Sequence, residues 1–233
     1  MNRLMRCLWL IVGLALSACA NGRGLPYDAW SLNFFAPPNM EVWIETADVE
    51  DVRDRLFLHV GGGLASMGYR GNPAGWGKLT SNGSGRYVRG ATFPRRIDVR
   101  WQSLVEPQTY RITLEIPESA RQLMRQRAYQ PQFPDDKSRR SYREYVVIGL
   151  APGGIARVWI SGPGLDPIPV LCAQAEIEPL GPSRGKTEGR YAYAFDKLDV
   201  RTQTYLKNHL VPYGSWRCDQ PPAIMPLTGV ETR

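Results

Sequence analysis

Eight short apolar runs, most of them bounded by Gly, Pro or Asn, set the rhythm of this chain: Trp30–Phe35, Glu41–Thr46, Leu56–Val60, Ile97–Leu104, Tyr110–Ile116, Glu144–Leu150, Ile155–Ser161 and Val170–Glu178. Several alternate with a period of two. In Tyr110–Ile116 the apolar Ile112, Leu114 and Ile116 point one way and Arg111, Thr113 and Glu115 the other, as in a strand with one wet face. Runs of this length joined by turns predict a mainly β fold, an antiparallel sandwich with two helices or an α+β layer, rather than a parallel doubly wound sheet.

The first helix is expected over Pro117–Arg127, which has Pro and Glu in its first turn and Arg in its last. The second follows from Phe195, Leu198, Tyr205, Leu206 and Leu210 at helical spacing, stopped by Pro212, and this stripe reads as core packing. Two stretches echo each other, Phe35–Ile44 and Leu150–Ile160: each runs through Ala-Pro into a turn and resumes with Val-Trp-Ile. A duplicated half-domain or two convergent hairpins would both produce this.

A different pattern opens the chain. Arg3 and Arg6 precede the apolar run Leu8–Leu16, which is too short to span a bilayer and ends in Leu16-Ser17-Ala18-Cys19. A large apolar residue, two small ones and a cysteine are the form of a bacterial lipoprotein signal, cut before Cys19 and replaced by diacylglycerol on its thiol. Residues 1–18 therefore read as signal peptide, 19–26 as a lipidated tether, 27–220 as a single β-rich domain and 221–233 as a flexible tail. No later run has eighteen apolar residues, so lipid is the membrane attachment that the sequence offers. Each buried methylene contributes about 0.8 kcal/mol, so two or three chains on one cysteine hold firmly. Ala20, rather than Asp, after the cysteine favours the outer membrane, facing the periplasm.

Composition narrows the partners. Loss of Arg3 and Arg6 reduces 29 basic residues to 27 against 22 acidic ones, a net +5 that suits anionic headgroups but is too dispersed for nucleic acid. Of the four cysteines, Cys7 leaves with the signal and Cys19 takes lipid. Cys172 and Cys218 remain in an oxidising compartment, where they would form a disulfide or stay as two separate buried thiols.

Candidate chemistry is sparse. The two histidines, His59 before Gly61-Gly62-Gly63 and His209 near the end of the second helix, lack the partners of a triad or a zinc site and read as structural or solvent-exposed. No Gly-x-Ser-x-Gly elbow occurs, and Gly77-Lys78 is followed by Leu, which fails the phosphate-loop pattern. No catalytic residue, metal site or cofactor is therefore expected. The candidates for partner binding are Tyr69 and Trp76, in the glycine-rich segment 61–90 read as a binding loop or a disordered decoration. A second group, Arg121, Arg125, Arg139 and Arg140, belongs to a basic run that would face headgroups or an acidic protein, or be a plain solvated surface.

Several stretches together resemble a family of proteobacterial lipoproteins, domain of unknown function 2931: Tyr27–Trp30, Phe35–Pro37, Val99–Tyr110, Ile148–Gly154, Gln174–Glu178 and Pro212–Trp216. The family carries no established catalytic residues. Lipoproteins of this sort are sometimes found beside genes for envelope-attacking type VI secretion effectors, so the resemblance implies an immunity role and a secreted effector as protein partner. A structural or ligand-binding envelope lipoprotein, engaging glycan or lipid, is the alternative, and a cryptic hydrolase a third.

Overall fold

Alternation of apolar and polar positions decides the layers. A computed structural model of the chain describes residues 24–67, 71–76 and 83–219, and among them thirteen strands and two α-helices. One sheet holds β1 (Ala29–Ala36), β4 (Ser66–Met67), β5 (Ser84–Arg89), β10 (Tyr145–Ala151), β11 (Ile155–Gly162) and β12 (Leu165–Gln174). The second holds β2 (Val42–Asp51), β3 (Leu56–Leu64), β6 (Pro94–Ser103), β7 (Gln108–Glu115) and β13 (Glu176–Ile177). A small hairpin joins β8 (Arg127–Tyr129) to β9 (Arg140–Tyr142). The helices are α1 (Glu118–Arg125) and α2 (Val200–Asn208). All eight expected runs fall on strands, the last of them divided between β12 and β13, and the mainly β expectation holds.

The first sheet runs β12-β11-β10-β1, with β4 and β5 sharing the far edge of β1; the second runs β13-β7-β6-β2-β3. Trp30, Leu32 and Phe34 of β1 meet Ile44, Ala47 and Val49 of β2 and Ile97, Val99 and Trp101 of β6 in one buried cluster, so the sheets pack face to face. Pairing is antiparallel except at β1–β10 and β1–β4. From β1 the chain leaves at once for the second sheet, so no tight hairpin dictates the direction in which β10 returns beside it. The echo between Phe35–Ile44 and Leu150–Ile160 is accordingly no repeat. The first copy crosses between sheets, whereas the second is a hairpin pairing Ala151 with Ile155.

Three expectations are corrected. The glycine-rich segment is not one long loop, because β3 continues through Gly61–Gly63 and β5 occupies Ser84–Arg89. Gly61 is required there, since a Cβ would come within 2.7 Å of the Phe34 ring. The second helix is short: Asp199 caps its start through the Arg201 N–H, which leaves Phe195 and Leu198 in a separate turn and Leu210 beyond its end. Of the supposed core stripe only Leu198 is fully buried, and Leu210 is 91% exposed. Leu25, expected to lie ahead of the domain, packs on the core.

Stretches far apart in sequence meet at one end of the fold. Glu106 accepts the Gly153 N–H at 2.9 Å, and its negative charge acts on the hydroxyls of Tyr110 and Tyr213. Burial and this carboxylate push the Tyr213 hydroxyl up to about 12. Gly153 and Gly154 both have φ of +76°, and a Cβ on Gly154 would meet the Tyr110 ring at 2.7 Å. Nearby, Cys172 and Cys218 are bonded, with Cα atoms 5.4 Å apart. Closing a loop of 46 residues contributes about 4 kcal/mol by chain entropy.

Candidate recognition groove

The outward positions of the second sheet form the candidate site. Between core-facing Ile97, Val99 and Trp101, β6 turns Arg96, Asp98 and Arg100 outward, and β7 adds Arg111 and Thr113. A register shift in β2 between Ile44 and Thr46 places Glu45, Thr46 and Asp48 on the same side, the re-aiming that a bulge allows. Thr46, Asp48 and these residues of β6 and β7, with Leu56 and Leu58 of β3 and Glu176 of β13, line a groove of about 700 Å³.

The arginines of β6 and β7 that line it are paired with carboxylates. Arg96 bonds Glu50 at 2.9 Å and Asp98 at 3.3 Å, while the Thr113 hydroxyl donates to Asp98 at 2.5 Å. Arg111 bonds Glu176 at 3.2 Å. Glu45, whose side chain is only 4% exposed, accepts from Arg100 at 2.6 Å, Gln102 at 2.8 Å and the Ser183 N–H at 2.6 Å. That last bond fixes the Pro182–Gly185 turn at the end of the groove and brings Arg184 into its lining.

Three of the six non-glycine residues with left-handed backbone among the described residues lie beside the groove. His59, Ser183 and Arg184 have φ of 54°, 52° and 53°, a left-handed backbone that non-glycine residues adopt only when the surroundings impose it. At His59 the imposing group is Asp48, which accepts its N–H at 2.7 Å. The Thr46 hydroxyl lies 3.1 Å from His59 Nδ1 and 3.2 Å from Asp48. In a catalytic triad the carboxylate orients the imidazole and the imidazole activates the hydroxyl. Here the carboxylate holds the hydroxyl and the backbone of His59, so these three groups orient each other without forming that relay. Leu56 and Leu58, both more than half exposed, add an apolar rim to the ordered charges. Fixed charges beside exposed apolar side chains are suited to recognising a polypeptide surface.

The residues expected from sequence to bind a partner fall elsewhere. Cys19 and Tyr69 lie outside the described residues. Trp76 is no exposed anchor: it packs between Phe35 and Trp159, with ring centroids 5.7 and 5.3 Å away, and donates to the Trp216 carbonyl. The glycine at 149 makes this slot, because a Cβ there would lie 2.4 to 2.8 Å from the Trp76, Phe35 and Trp159 rings. The basic run divides. Arg121, 15% exposed, donates to the Pro94 and Ile116 carbonyls and to Glu118, and Arg125 also bonds Glu118 and lies 4.5 Å over Phe93. Both serve to hold α1. Arg139 and Arg140 remain on the surface, stacked on Phe133 and Tyr129 of the β8–β9 hairpin. His209 stacks on Tyr205 at 4.6 Å, near the surface.

Sequence reasoning missed the groove although its signal was present. Arg96, Asp98 and Arg100 alternate with apolar residues, but such a pattern is equally that of a plain wet face. Only the strand register brings them opposite Asp48 and Thr113. Among the described residues no group of three metal-ligating side chains is found, and no helix is long and apolar enough to cross a membrane. A family model described as a protein of unknown function (DUF2931) matches residues 17–214. No curated protein and no solved structure matches.

Proposed function

We propose, for a chain that belongs to the DUF2931 family of proteins of unknown function, that it is a lipid-anchored, periplasm-facing lipoprotein of the outer membrane that acts by binding a protein partner in the groove of its second sheet. The observation that carries the binding reading is the groove itself. Arg96, Arg100 and Arg111 are each paired with a carboxylate, so their side chains have less freedom left to lose on association, and Leu56 and Leu58 offer apolar contact beside them. The anchor reading rests on Arg3, Arg6, Leu8–Leu16 and the Leu16-Ser17-Ala18-Cys19 sequence. The family match begins at residue 17, so the stretch ahead of it stands outside the shared domain.

The finer form of the proposal is immunity, with an envelope-targeting type VI secretion effector as the partner, as the family resemblance suggests. Cells expressing the chain should survive an effector encoded beside it. Asp98→Lys combined with Arg111→Glu reverses charge in the groove at positions that face solvent, and should abolish survival while the fold persists. Survival should be kept in His209→Ala, a residue stacked on Tyr205 away from the groove. Undiminished protection by the groove variant would refute binding there.

A further inference from the structure

We propose that the β8–β9 hairpin docks on the anionic phospholipid headgroups of the membrane to which the tether leads, fixing the orientation of the domain; this rests on the lipid-anchor reading. The chain arriving from Cys19 joins the fold at the base of that hairpin, where the Tyr27 ring lies 5.3 Å from Tyr142 of β9. Eight steps along the backbone lead from Cys19 to Tyr27 and reach at most about 29 Å when extended. The hairpin base is therefore never far from the surface that holds the lipid.

From that base the hairpin projects outward, with every residue from 131 to 140 exposed. It is an ordered projection. Successive turns close by hydrogen bonds from Phe133 to Gln130, Asp136 to Phe133 and Arg139 to Asp136, each about 3.0–3.1 Å. The Arg139 guanidinium lies 4.1 Å over the Phe133 ring with its Nε bonded to Asp136, and that of Arg140 lies 3.9 Å over Tyr129 with one Nη bonded to the Tyr129 hydroxyl, so each keeps further N–H donors. Phe133 and Tyr129 remain 39% and 50% exposed. A guanidinium carried on an aromatic ring presents donors for phosphate beside an apolar body, the combination that settles at a membrane–water interface. Residues 127–143 contain five basic side chains against Asp135 and Asp136, so the charge complements an anionic surface.

The test uses the mature lipidated protein carrying Phe133→Trp, reconstituted into vesicles of phosphatidylglycerol and phosphatidylethanolamine or of phosphatidylcholine alone. Flotation reports the anchor, and quenching by lipids brominated near the headgroup end of the acyl chain reports the hairpin. On anionic vesicles the emission added by the substitution should be largely lost, and much less so on phosphatidylcholine or after Arg139→Gln with Arg140→Gln. Protein that floats on anionic vesicles yet keeps its added emission overturns the docking alone, leaving an acidic protein as the occupant to seek. Protein that does not float removes the anchor and the docking together.

Discussion

Small residues carry the tightest constraints in this fold. Gly149 sits in a central strand buried on both faces, and its missing Cβ is the space in which Trp76, Phe35 and Trp159 meet. Gly149→Ala should lower stability by about 1–3 kcal/mol, read as a lower midpoint in chemical denaturation, because ring edges on three sides leave the methyl no room. A variant as stable as the parent would mean that Trp76 is free to move aside. The same position shows where reading the sequence reaches its limit. A glycine inside an apolar run signals close approach, yet nothing along the chain says that the approaching group comes from residue 76. Trp76 therefore reads as an anchor for a partner, when it anchors its own segment to the first sheet.

Elements legible in the sequence are those whose own alternation is complete. The eight long runs all fall on strands, whereas Ser66–Met67, Arg127–Tyr129 and Arg140–Tyr142 are too short to show a period, and Ser84–Arg89 is hidden by Gly85 and by the glycines that flank it at 83 and 90. Links between elements are less visible still, and the carboxylate of Asp51 is one of them. At the end of β2 its fully buried carboxylate accepts the N–H groups of Arg53 at 2.9 Å, Arg55 at 3.1 Å and Thr92 at 2.9 Å, and pairs with the Arg55 side chain. Burial alone would raise its pKa, but these donors win and hold it at about 2. A carboxylate depressed in the folded state contributes stability that is present above its ordinary pKa near 4 and is lost as pH falls towards 2. With partly exposed Arg55 as one partner, the contribution is about 1–2 kcal/mol. Asp51→Asn should therefore be less stable at neutral pH, and its deficit should shrink between pH 4 and 2. A deficit independent of pH would assign Asp51 a purely steric role.

At the scale of the whole molecule, two sheets share one core, the second turns an ordered groove outward, and the chain enters beside a basic hairpin. The mainly β architecture was legible from periodicity, but the groove was not, because it is made by cross-strand register rather than by any one segment. What gives this arrangement its proposed purpose is the anchor: lipid on Cys19 would hold the hairpin at the membrane and leave the groove to meet a partner. The most direct measurement is the intact mass of the protein extracted from membranes of a cell that processes lipoproteins. The account predicts a chain that begins at Cys19 and carries the added mass of a diacylglycerol thioether. A chain that still begins at Met1, or one cut elsewhere with no lipid mass, would contradict it.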